Sequence, residues 1–141
     1  MKVLFVCWAN VGRSQMAAAL YNQMTNSQDA DSAGTEVDVP GETLLERRQR
    51  RGGTAPIDVM ADKGFDVSNA QRTQLTPEML DNYDLIVSMA QKEYTPDWLS
   101  SHAHYRYWDI KDPGGKDYNA TLAAYDEIEP KVKALTLEER A

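Results

Sequence analysis

Cysteine occurs once in this sequence, at position 7. A single thiol excludes an intramolecular disulfide, and a cysteine-rich zinc site with it. Long apolar runs are missing too. The N-terminal stretch Val3-Leu4-Phe5-Val6-Cys7 is shorter than the roughly 7–15 residues of a signal-peptide core, and nothing later approaches the ~18 of a membrane span. These absences predict a soluble, cytoplasmic protein in which the lone thiol stays reduced. Positive charge is in the minority, 15 Lys and Arg against 22 Asp and Glu, for a net charge of −7. Such a chain repels polyanions as a whole, so neither nucleic acid nor an anionic membrane is expected as a partner. The glycine-rich nucleotide loops G-x-x-x-x-G-K-[ST] and G-x-G-x-x-G do not occur, nor does any internal repeat. No metal or cofactor is expected.

What is present is the composition of an ordinary globular chain: 141 residues, 42% hydrophobic and 26% charged. That length predicts one domain over residues 1–141, burying roughly 68–70% of its unfolded surface. Val3 to Val6 has the unbroken apolar character of a strand covered on both faces. From Ser14, apolar residues at Met16, Ala17, Leu20, Tyr21 and Met24 follow one helical face and stop near Asn26. Ser32-Ala33-Gly34-Thr35 reads as the end of a second strand. Residues 37–54 form a polar excursion with a short helical centre, a variable loop or flap.

Pro56 opens a helix that Lys63-Gly64 closes, and Thr76-Pro77-Glu78 opens a shorter one. Leu85-Ile86-Val87 is a third buried strand. One helix is expected over about 92–100, then a fourth strand at Tyr105–Trp108. A C-terminal helix through Leu122, Tyr125, Ile128, Val132 and Leu135 contains Pro130, which should kink or split it. Alternating strands and helices predict an α/β, doubly wound parallel sheet of about four strands with helices on both faces.

Ligands of such sheets gather beyond the carboxyl ends of the strands, and the segment leaving the first strand has the chemistry for one. Cys7-Trp8-Ala9-Asn10-Val11-Gly12-Arg13-Ser14 places a thiol, five residues, an arginine and a hydroxyl between a strand and a helix. Backbone N–H groups of a tight loop converge on an anion, and the helix that follows adds the positive end of its dipole. Gly12 permits close approach. Arg13 offers a planar fork matched to two oxygens of a tetrahedral oxyanion. The same groups favour the thiolate of Cys7, a nucleophile aimed at bound phosphorus. A lone cysteine at a strand end is more often a buried structural thiol, but such a thiol has no use for an arginine and a glycine in this register.

Val3 through Asn10 with Arg13-Ser14-Gln15-Met16-Ala17, then Ser32-Ala33-Gly34-Thr35, Asp66-Val67-Ser68, Gln74-Leu75-Thr76, Tyr83–Val87 and Asp112-Pro113 resemble the low-molecular-weight protein tyrosine phosphatases and the arsenate reductases built on the same fold. The resemblance spans nearly the whole chain and is weakest over 37–54. It implies that Cys7 is the nucleophile and passes through a phosphocysteine. Trp8 to Ser14 would hold the phosphate, with Arg13 and the loop amides on its oxygens and Ser14 donating to the departing sulfur. Asn10 would brace the loop, supported by Ser32. Asp112 would protonate the leaving oxygen and then activate water.

Asp109 is the competing carboxylate: the residues alone do not separate it from Asp112, and the family pattern favours Asp112. A Cys–His pair with His102 or His104 lacks any motif support. The chain departs from phosphotyrosine-directed members in following Asp112-Pro113 with Gly114-Gly115 instead of aromatic residues, and in Asn69, Ala90 and Gln15. Trp8 and residues 37–54 are the candidates for pocket walls. The basic run Arg47-Arg48-Gln49-Arg50-Arg51 reads either as a solvated helix face or as a grip on an acidic substrate.

The expected function is therefore a metal-independent phosphomonoester hydrolase, with phosphotyrosine protein among the substrates the resemblance implies. One alternative is an arsenate reductase that borrows an external thiol, since the cysteines of an internal relay are missing. Another is an oxyanion-binding module without turnover, for which Asp112 would be superfluous.

Overall fold

In a computed structural model, which describes residues 1–114 and 116–140, the chain forms the alternating pattern of an α/β fold. Four parallel strands, β1 (Val3–Cys7), β2 (Ala30–Gly34), β3 (Leu85–Ser88) and β4 (Tyr105–Tyr107), lie in the order β2-β1-β3-β4. Order reverses at β1, which pairs with β2 on one side and β3 on the other. The switch point, and the crevice it leaves at the carboxyl ends, thus falls where Cys7 ends its strand.

Every residue of β1 is buried, as its unbroken apolar run requires. Because side chains alternate across a strand, Val3 and Phe5 enter one core layer while Leu4 and Val6 enter the other. The first layer is covered by α1 (Arg13–Thr25) and α5 (Tyr118–Arg140), with Met16, Leu20, Tyr21, Ile128 and Val132 inside it. Phe5 packs between Tyr21 and Trp108, ring centroids 6.1 and 5.8 Å away. The second layer is thinner. Leu80 and Leu99 close it from a 3₁₀ turn at Pro77–Asn82 and the single turn α4 (Asp97–Ser100). The remaining helices are α2 (Leu44–Arg51), which lines the carboxyl-end crevice, and α3 (Ala55–Asp62), whose Pro56 lies close to Gly12. α2 starts with a capping box: Thr43 accepts from the Glu46 N–H and Glu46 accepts from the Thr43 N–H.

Two expectations need correction. The helix over 92–100 is a 3₁₀ turn at Lys92–Tyr94 followed by α4. Pro96 disfavours helical backbone at the preceding residue, and Thr95 is extended, at φ −105° and ψ 109°. Conversely, of the kink or split expected at Pro130, the split does not occur, and the C-terminal helix runs on through it. The proline sits on an exposed face, where the carbonyl it leaves unpaired can be hydrated. Buried residues on either side, Tyr125 and Ile128 before it and Val132 and Leu135 after it, hold both halves on one core. Among the described residues no helix is long and apolar enough to cross a membrane.

Candidate active site

The loop from β1 to α1 wraps the thiol. Cys7 is 2% exposed, and its Sγ lies 3.0 Å from Ser14 Oγ. Asn10, in the left-handed region at φ +56°, donates from Nδ2 to Ser14 Oγ at 2.7 Å and to Ser32 Oγ at 2.9 Å, while its Oδ1 accepts from the Thr73 N–H at 2.7 Å. Because Asn10 already supplies a proton to the Ser14 oxygen, the hydroxyl's own proton is free to point at the sulfur. These bonds also hold a non-glycine residue in a backbone conformation it would otherwise avoid. Gln15 adds a second brace, donating to the Asn10 carbonyl at 3.2 Å and the Gln71 carbonyl at 3.1 Å.

The backbone N–H groups of residues 8–14 meet no hydrogen-bond acceptor within the described residues. A run of donors left free at a helix N-terminus is the arrangement that takes an anion. Arg13, the first residue of α1, is 3% exposed. Its Nη1 donates to the carbonyls of Met89 and Ile110, the latter at 3.0 Å, and Nη2 donates to Gln91 Oε1 at 3.2 Å. Asp112 Oδ2 lies 3.7 Å from Nη2 and accepts from Gln91 Nε2 at 3.3 Å, while Oδ1 accepts from the Gly114 N–H at 2.9 Å.

A cavity of about 170 Å³ joins these groups. Cys7, Trp8, Ala9, Val11, Gly12, Arg13 and Asp112 line it, and Arg47, Arg51, Gly53 and Lys116 belong to the same lining. Residues 37–54 therefore contribute one wall through α2 and the turn after it. Trp8 forms another: its ring stacks on Tyr94 at 4.7 Å and its Nε1 donates to Glu36. Asp109 lies outside the lining and accepts from the Tyr107 hydroxyl at 3.4 Å. His102 and His104 are also elsewhere, against Asp81 and Tyr83. Gly115 falls outside the described residues.

Three residues at the site escape the sequence reading. Arg72, 1% exposed, donates from Nε and Nη2 to the carbonyl of Ala9 and forms ion pairs with Glu42 and Asp38 at 2.9 and 2.8 Å. Glu42 is the second: the side-chain bond from Arg50 comes first among the influences on it, burial opposes, and Arg72 adds to Arg50, so its carboxyl stays below the usual range. Gln91 is the third, bridging Arg13 and Asp112. None belongs to a spacing motif. The available signal was an arginine and a glutamine placed beside buried segments.

A thiol at the carboxyl end of the central strand, ringed by free amides and faced across one cavity by a carboxyl, belongs to the cysteine-dependent phosphatases. The description "Low molecular weight phosphotyrosine protein phosphatase" attaches to a family model that matches residues 2–140, and the chain belongs to that family. Among curated relatives, an arsenate reductase of Brevibacillus brevis is 26% identical over 135 residues, covering 93% of this chain and 90% of its own. Among solved structures, Vibrio vulnificus Wzb in complex with benzylphosphonate superposes with a TM-score of 0.79 at 24% identity, covering 97% of each chain. The YwlE arginine phosphatase of Geobacillus stearothermophilus superposes at 0.76 with 24% identity, over 99% of this chain and 92% of its own.

Proposed function

We propose that the chain hydrolyses phosphomonoesters, phosphotyrosine on proteins among them, through a phosphocysteine and without a metal ion. The observation that carries this is the shared cavity of Cys7, Arg13 and Asp112 beneath the free amides of residues 8–14. The substrate's phosphoryl oxygens take the loop N–H groups and the Arg13 fork. The Cys7 thiolate attacks phosphorus as the ester P–O bond breaks, and Asp112 gives its proton to the departing oxygen. Water then attacks phosphorus as the S–P bond breaks, and loses a proton to Asp112. Inorganic phosphate leaves, and Ser14 donates to the sulfur as its negative charge returns. Asn10 and Ser32 keep the loop in shape throughout. The complex of Wzb with benzylphosphonate supports the oxyanion part of this reading.

The test is hydrolysis of 4-nitrophenyl phosphate with a chelator present. Cys7→Ser should abolish turnover. Asp112→Asn should slow it most for poor leaving groups, and an unchanged rate would remove Asp112 from the acid role. Consumption of an added thiol on arsenate, with no phosphatase activity, would replace hydrolysis by the arsenate reductase reading. Tight phosphate binding without either reaction would leave a binding module.

A further inference from the structure

The basic run of α2 divides in two. Arg48 donates to the Thr54 hydroxyl and carbonyl and pairs with Asp58 at 2.9 Å. Arg50 pairs with Glu42 at 2.6 Å and with Asp38 at 2.9 Å. These two arginines are occupied in holding α2 to its surroundings. Arg47 and Arg51, one helical turn apart and so on one face, line the cavity instead. Arg51 keeps a longer contact with Asp38, at 3.5 Å. Arg47 has no ion pair among the described residues: Nη1 donates to the Gly52 carbonyl and the buried Nε has no partner. Lys116, exposed and in the same lining, has no ion pair among them either.

The cavity therefore holds cations beyond what the phosphoryl group uses. Arg13 and the loop amides already surround that group, and Arg47 and Lys116 lie outside the loop. Crowding works against the placement of Arg47, since burial first, and then the charges of Arg51 and Arg72, disfavour its charged form. In a chain of net charge −7, a local positive rim is also what lets an acidic substrate approach at all.

We propose that Arg47 and Lys116, with Arg51 beside them, form a second anion site at the mouth of the cavity. The preferred substrate is then a phosphomonoester that carries another anionic group next to its phosphate. This inference rests on the proposed hydrolase reading and names its substrate class. The second group is a carboxylate or phosphate, supplied either by an acidic residue flanking a phosphorylated one or by a small molecule.

The test compares kcat/KM at low ionic strength for phenyl phosphate and 3-carboxyphenyl phosphate, and for phosphotyrosyl peptides with Glu or Gln flanking the phosphorylated residue. The charged member of at least one pair should be favoured about tenfold, the scale of one charge-assisted hydrogen bond. The ratio should fall toward one in Arg47→Gln/Lys116→Gln, and Lys116→Glu should lower it when made alone. The pair that discriminates identifies the source, peptide or small molecule. Equal rates within both pairs, or a preference untouched by either variant, overturns the second site while leaving the hydrolase reading intact. Binding of phenylphosphonate and 3-carboxyphenylphosphonate by calorimetry separates the opposite failure. If neither phosphate is turned over but the carboxylated phosphonate binds more tightly through Arg47 and Lys116, the site stands and hydrolysis falls.

Discussion

Arg72 donates from Nε and Nη2 to the carbonyl oxygen of Ala9, at 3.2 and 2.9 Å, and so anchors the outer turn of the thiol loop from 63 positions away. Its remaining amino group carries ion pairs to Glu42 and Asp38. Position 72 thereby couples the loop that surrounds Cys7 to the residues that precede α2.

Replacing Arg72 with Ala strands the buried carboxyl of Glu42 with Arg50 alone. A loss of about 3–5 kcal/mol in unfolding free energy is expected, measured by urea denaturation. Arg72→Lys is the sharper probe, because a point charge keeps the ion pairs but cannot reproduce the two-pronged bond to Ala9. It should cost less stability than Arg72→Ala and still lower kcat.

Gln91 offers its amide oxygen to Arg13 and its amide nitrogen to Asp112. In Gln91→Ala both groups lose a common tether, and misplacement of the proposed acid, Asp112, should lower kcat roughly tenfold or more while KM changes little. Steady-state kinetics on 4-nitrophenyl phosphate decides it. A kcat within twofold of the parent would mean the bridge contributes nothing.

Gly34 ends β2 directly beneath the loop. A Cβ there would come within 2.7 Å of the Trp8 carbonyl oxygen, 2.8 Å of the Asn10 nitrogen and 2.9 Å of the Ala9 carbonyl carbon. All three are backbone atoms of the loop that follows Cys7, so even Gly34→Ala has to displace it. We expect about 1–3 kcal/mol of destabilisation, together with weaker phosphate binding by calorimetry.

Acid should loosen the molecule through Glu42. Its carboxyl is held below the ordinary value of 4.5, with the bond from Arg50 foremost and Arg72 contributing. Below that value the unfolded chain takes up a proton that the folded chain resists, so stability falls as pH drops. Denaturation midpoints measured from pH 6 down to pH 3 should decline, and Arg50→Gln should flatten the decline. An identical slope in the variant would remove Glu42 from the account.

The parts of the site that were legible in the sequence are those built locally. Cys7, Gly12 and Arg13 lie within a single strand–loop–helix unit, where spacing alone indicates convergence, whereas the parts given to Asn10 and Ser14 came through resemblance. Asp112 was legible only through resemblance, because its meeting with Arg13 depends on β4 taking the far edge of the sheet. Arg72, Glu42 and Gln91 act across long sequence separations from connecting segments with no periodicity, so each looked like an ordinary solvated polar residue. Secondary structure followed the same division. The apolar face of α1 and the buried run of β1 identified themselves, whereas Pro96 and Pro130 had opposite outcomes according to whether apolar packing continued on both sides of the proline.

The solitary thiol has one more consequence. If peroxide oxidises Cys7 to its sulfenic acid, the chain holds no second thiol to trap that group as a disulfide. Recovery then depends on a reductant from outside arriving before a second oxidation makes the sulfinate, from which simple thiols do not return it. The time spent under oxidative stress, more than its dose alone, would set how much of the protein is lost for good.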